Sequence, residues 1–60
     1  MFKYFSEVSE EGKVSIAVNV EKVFCAVPGE KPDTTILRLE NGSWFTVEGN
    51  QLDIVSQLNS

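Results

Sequence analysis

Histidine is absent from this chain, and cysteine occurs once, at position 25. The first absence removes the commonest general base and with it the usual nucleophile–base–acid triads. The second excludes an intramolecular disulfide. Together they leave no Cys/His set for a structural zinc within one chain. Cations are scarce too: Lys3, Lys13, Lys22, Lys31 and Arg38 stand singly against nine acids, for a formal charge of −4. Nonspecific nucleic-acid binding neutralises phosphates with lysine and arginine, so this balance argues against it. Mimicry of DNA would need dense, ordered carboxylates, and only Glu10 and Glu11 are adjacent. A charge of this size is ordinary for the surface of a small domain. No apolar run approaches a membrane span, and Met1-Phe2-Lys3-Tyr4-Phe5-Ser6-Glu7 lacks the apolar stretch of a signal peptide. A single unpaired thiol favours a reducing compartment. These absences point to a cytoplasmic protein without membrane contact.

Sixty residues form one domain, 1–60. A chain so short buries only about 60% of the surface its unfolded form exposes, and its core supplies about 3–5 kcal/mol net. With disulfide and metal excluded, homo-oligomerisation or docking onto a partner is the remaining means of reinforcement. Cys25 lies in the run Val23-Phe24-Cys25-Ala26-Val27, where a free thiol acts as a small buried hydrophobe. The only cation close in sequence, Lys22, falls on the other side of that strand by period-2 counting.

What is present is mostly β grammar. Phe2 to Val8 alternate roughly, with Phe2, Tyr4 and Val8 on one side and Phe5 on the other. After the polar turn Ser9-Glu10-Glu11-Gly12, Val14, Ile16, Val18 and Val20 face one way, against Lys13, Ser15, Ala17 and Asn19. The two runs form a hairpin. A bend at Asn19-Val20-Glu21-Lys22 precedes a third strand, Lys22 to Val27, and Pro28-Gly29-Glu30-Lys31-Pro32-Asp33 is a loop, since proline cannot donate to a ladder. Thr34 to Glu40 form a fourth strand, and Asn41-Gly42 predicts a two-residue type I′ turn. Glu40 then pairs with Ser43, which sets Leu39 opposite Trp44 and Leu37 opposite Thr46 on one face. Arg38 opposite Phe45 and Ile36 opposite Val47 make the other. Both faces are substantially apolar, so the hairpin is either sandwiched inside a small barrel or turned toward a partner. Asn50 as N-cap and Asp53 in the first turn open a short helix over 51–58. Leu52, Val55 and Leu58, with Ile54 beside them, dock that helix on the sheet, because it is too short to stand alone. The fold class is mainly β: about five short antiparallel strands in a small curved sheet or SH3-like barrel, closed by one short C-terminal helix.

The chemistry that remains is thin. The serines have no visible activating base, and Glu10 and Glu11 lie in a turn where solvent keeps both ionised. Gly42 and Gly49 fit no phosphate-cradling pattern. A chain of this size has little room for a cleft of about 300 Å³ or more. No catalytic residue, cofactor site or metal site is expected. Aromatic side chains are enriched at interface hot spots, but they also fill small cores. Phe2, Tyr4, Phe5, Phe24 and Phe45 read chiefly as core. Trp44 reads as a surface contact, Leu37 and Leu39 as apolar members of its face, and Arg38, on the other face, as a second candidate.

From Ile16 onward the order of residues resembles the FlbD family of small flagellar proteins. An apolar strand reaches Asn19, and Glu21 and Val23 follow. Then come Pro32-Asp33-Thr34-Thr35-Ile36, Leu39 with Gly42, and Val47-Glu48 leading into the C-terminal helix. The likeness covers residues 16–59, with Val20 where a proline commonly follows the asparagine and Pro28 to Lys31 as an insertion. It implies a non-enzymatic accessory of flagellar assembly or motor function, with no catalytic residues. The order of elements is also similar to the LytTR type of β-rich DNA-binding domain, whose basic loop residues are scarce here.

The function expected is a small non-enzymatic protein-interaction module, regulatory or accessory, bacterial or phage-encoded in style. A nucleic-acid-directed role, by binding or by mimicry, and a structural homo-oligomer are the alternatives.

Overall fold

The alternating runs at the start of the chain pair as a hairpin of β1 (Phe2–Ser9) and β2 (Gly12–Asn19). The ladder is unbroken from Phe2↔Asn19 to Ser9↔Gly12. Asn19 then accepts a hydrogen bond from the Glu21 N–H and caps a single 3-10 turn, Val20–Lys22. From this turn the chain enters β3 (Val23–Pro28), and after the proline loop β4 (Thr34–Leu39) and β5 (Trp44–Glu48) follow. Helix α1 (Gln51–Leu58) ends the order of elements. The computed structural model describes residues 1–60 and joins all five strands in one antiparallel sheet, ordered β2-β1-β5-β4-β3. No helix is long and apolar enough to cross a membrane.

That order forces curvature. Four strand spacings of about 4.8 Å would hold β2 and β3 about 19 Å apart in a flat sheet. Only the 3-10 turn joins them, and the four peptide units from Asn19 to Val23 span at most about 15 Å fully extended. The sheet therefore curls until its two edges meet at this corner. The turn is fastened to the end of β4, one pair beyond Val23↔Leu39: the Glu40 N–H donates to Lys22 O (3.0 Å), and Lys22 Nζ lies 3.7 Å from Glu40 Oε2. The edges share no ladder, so the architecture is a curved sheet and not a closed SH3-like barrel.

The β4–β5 register departs from the one that a two-residue type I′ turn predicts. Such a turn needs positive φ at both central residues, and only Gly42 has it (φ 93). Asn41 instead uses its side chain, Oδ1 accepting from the Ser43 N–H at 2.9 Å. The Gly42 N–H donates to Leu39 O (3.0 Å) and the Leu39 N–H to Ser43 O (2.8 Å). This is a three-residue connection, a type I turn completed by a bulged glycine. The pairs become Leu37↔Phe45, Thr35↔Val47 and Arg38↔Trp44. A slip of one residue turns every side chain of a strand to the opposite face. Phe45 and Val47 accordingly join Leu37 and Leu39 on the core side, and Trp44 joins Ile36 and Arg38 outside.

The core is Phe5, Val18, Leu37, Val47 and Ile54, one or more from β1, β2, β4, β5 and α1, with Ile16, Val23, Ala26, Leu39, Phe45 and Leu58 packed around it. Thr35 is the one buried polar residue, and its Oγ1 donates to Gly49 O at 2.8 Å, which removes the cost of burying the hydroxyl. Asn50 caps α1 by accepting from the Asp53 N–H (2.9 Å). Lys3 Nζ donates to Gln57 O (2.5 Å), placing a cation at the negative end of the helix dipole. The apolar residues of α1 divide. Ile54 and Leu58, four apart, face the sheet, whereas Leu52 and Val55 are exposed and do not share in the docking that their spacing predicts. Of the aromatics read as core, Phe5 is buried and Phe45 half-buried, while Phe2, Tyr4 and Phe24 are exposed. Phe24 is displaced by a bulge between Val23 and Cys25.

Leu37 has no exposed surface, so Leu37→Ala should cost about 2–5 kcal/mol, close to the whole stability of a domain this size. Urea titration followed by far-UV circular dichroism should find the variant largely unfolded in buffer. Gly42→Ala and Gly49→Ala both place a side chain at positive φ, costing about 1–2 kcal/mol. A Cβ at position 42 meets open space, whereas one at 49 lies 2.9 Å from Ile54 Cδ1. The same titration should therefore rank Gly49→Ala as the less stable of the two.

Candidate functional site

The outer face of the sheet carries what the core does not use. Arg38 and Trp44 stand directly opposite each other on β4 and β5, and both are exposed, Trp44 by 61%. Opposed side chains on one face approach within about 4.5–5.5 Å at Cβ, close enough for the guanidinium to stack on the indole. Beside them lies a shallow depression of about 310 Å³ with Val8, Ile36, Thr46 and Trp44 in its lining. Two turns frame it: Ser9 and Glu10 from the β1–β2 connection, Glu30 and Lys31 from the proline loop. The rim therefore mixes both signs of charge, and Lys13 pairs with Glu48 on the same face.

A second concavity opens where the sheet fails to close. It measures about 820 Å³ and is walled by Ile16, Val18, Leu39 and Phe45, with Asn19, Lys22, Glu40 and Asn41 at its mouth. The chain's length alone suggested little room for a cleft of this size. The gap between curled but unpaired edges provides one. The mouth's charged residues, Lys22 and Glu40, are occupied with each other.

Of the four residues that the sequence singles out, the structure brings two together. Trp44 and Arg38 are cross-strand neighbours. Leu37 is wholly buried and cannot present itself to a partner, a correction that follows from the one-residue register change. Leu39, also on the core side, lines the larger groove. Ile36 and Val8 were not singled out as contact residues, although the alternation of β4 had already placed Ile36 on the face of Arg38. Cys25 is half-buried and pairs across the ladder with Arg38, so its nearest strand-borne cation is Arg38 and not Lys22.

Set beside known proteins, the chain matches no family model, no curated protein and no solved structure.

Proposed function

We propose that this protein is a non-catalytic protein-interaction module whose contact surface is the outer face around Trp44 and Arg38. The observation that carries the reading is the exposed Trp44 held directly across the ladder from Arg38, with the depression lined by Val8, Ile36 and Thr46 beside it. Tryptophan and arginine are the residues most enriched among interface hot spots, and such residues act best where a pocket adjoins them. Glu10 and Glu30 share the rim with Lys31, which suits a polypeptide surface of mixed charge better than a phosphate backbone. The reading places the module in the cytoplasm, on the strength of its unpaired thiol.

A regulatory or accessory role of flagellar type is the narrower form of this proposal. Its support is the FlbD-like order of residues. Several of those residues shape turns: Asn19 caps the 3-10 turn, Asp33 adopts a positive φ of 57 and Gly42 completes the hairpin. These positions would keep the framework constant while the outer face sets the partner.

Trp44→Ala should leave stability within about 0.5 kcal/mol, since surface substitutions seldom do more. Loss of a hot-spot anchor should weaken partner binding by about 30-fold or more. Affinity capture from the native host, followed by titration of the recovered partner, tests this. Tyr4→Ala, another exposed aromatic on the outer face, serves as the control and should bind as the unaltered protein does. Capture that yields nothing above background, or equal binding by both variants, would remove the reading.

A further inference from the structure

The two free edges of the sheet are unequal. In β3 the ladder alternates from the Gly29–Thr34 pair, where the Gly29 N–H donates to Thr34 O at 2.9 Å. The edge-facing backbone groups of the regular part of β3 are therefore those of Ala26 and Pro28. Ala26 O is taken by Gln51 Nε2 of α1 at 2.9 Å, Pro28 has no N–H to offer, and the bulge at Phe24 breaks the line of the strand. Bulges, prolines and covering elements are the means by which natural sheets prevent edge pairing.

Strand β2 has none of these. Its eight residues contain no proline and no bulge, and Lys13 is their only charge. The bond from the Val20 N–H to Met1 O (2.9 Å) extends the alternation of the β1–β2 ladder. That alternation turns the backbone groups of Lys13, Ser15, Ala17 and Asn19 toward the open edge. None of the turn, loop or cap bonds reaches them.

We infer that this edge is a self-association site, at which β2 pairs antiparallel with β2 of a second copy about a two-fold axis at Ile16. The register follows from the pattern. Core-side residues must meet core-side residues, or each strand's apolar set faces the wrong way. Centring on Ile16 sets Ile16 opposite Ile16 of the partner subunit, and Val14 opposite Val18 of the partner subunit. On the outer side, Ser15 faces Ala17 of the partner subunit and Lys13 faces Asn19 of the partner subunit. These outer pairs are the ones whose N–H and C=O groups point across the new ladder, so the hydrogen-bonding and side-chain requirements agree. No like charges oppose each other within it. Val14, core-facing yet 59% exposed, gains cover, and the groove walled by Ile16 and Val18 opens beside the same edge. Because the β3 edge is blocked, an isologous pairing stops at two copies and does not propagate into a filament.

The surface area sets the strength. A folded monomer of 6.7 kDa is expected to expose about 3,900 Å². This chain exposes 4317 Å², an excess of about 400 Å². A β2–β2 pairing that covered an area of this size on each copy would bury about 800 Å², below the 1,200 Å² or so of standard interfaces. So small an interface makes the dimer weak and concentration-dependent.

Sedimentation equilibrium from about 10 μM to 1 mM tests the pairing across that range. The unaltered protein should shift from monomer toward dimer. Ala17→Pro deletes an edge donor and takes nothing from the β1 ladder, and should weaken association at least about tenfold. A second pair of variants guards against misfolding of the first. Ser15→Glu with Ala17→Glu, and Ser15→Lys with Ala17→Lys, each set like charges opposite one another and should stay monomeric alone. Mixed at low salt, they should form a heterodimer, because the charges then oppose with opposite sign. The inference is overturned by an unaltered protein that remains monomeric throughout, by charge variants that self-associate as readily as it does, or by a mixture that gains nothing.

Discussion

The fold depends on one backbone torsion. Asn41 lies outside the positive-φ region that Gly42 occupies, so the Asn-Gly corner is a three-residue connection and not a two-residue one, and that single residue decides which side of β5 is inside. With it, Leu37, Leu39, Phe45 and Val47 form one continuous apolar surface for Phe5, Val18 and Ile54 to cover. Without it, Trp44 and Thr46 would meet Leu37 and Leu39, while Phe45 and Val47 would share a side with Arg38. Thr46 would then add a second hydroxyl to a core that already holds Thr35, and two good core residues would lie beside a charge. The register observed is the one that separates apolar from polar residues most completely, in keeping with the general agreement between local turn chemistry and global burial.

The second constraint is the three-residue 3-10 turn between β2 and β3. Because these strands are the two ends of the sheet, joining them by so short a segment curls the sheet around a single core. Closure fails, since one edge is occupied by α1 and broken by a bulge while the other has no partner in the chain. The large groove at Ile16, Val18, Leu39 and Phe45 is the direct result of curvature without closure. A sixty-residue chain with a single cysteine, and so no disulfide of its own, thus leaves much of its apolar surface outside, at Phe2, Tyr4, Phe24, Trp44 and Leu52.

Much of this was legible in the residues. Strict alternation in β2, the proline loop, and the Asn50 cap with Asp53 place those elements where the structure has them, because each signal has one physical reading. The hairpin register was not fixed by Asn-Gly, since that dipeptide serves both turn types, and β5 offers an apolar residue on either face. A further test was available: pairing Leu37 and Leu39 with Phe45 and Val47 gathers four apolar residues on one side, which the alternative does not. Leu52 and Val55 were placed against the sheet because helical spacing alone does not say which of two apolar pairs on a short helix does the docking. The pairing of Cys25 with Arg38 was invisible, since it is a cross-strand relation that needs strand order. Chain length also misled about concavity, because it bounds the volume of a core and says nothing of a gap between edges.

The two surfaces left free have different characters, and the sheet order keeps them apart. Strand β1 lies between β2 and β5, so a strand added at β2 does not lie against Trp44. The β2 edge offers backbone groups and a repeating apolar pattern, which recognise another strand with little regard for its sequence beyond alternation. The outer face offers an indole, a guanidinium and a shallow depression between two turns, which on the proposed function would recognise a particular side-chain arrangement. A two-fold at Ile16 would duplicate the second surface without occupying it. A partner with two matching contacts would then meet them at a raised effective concentration, where even weak single contacts hold. On the two proposals, the backbone edge would serve assembly, and Trp44 with its neighbours would serve selectivity.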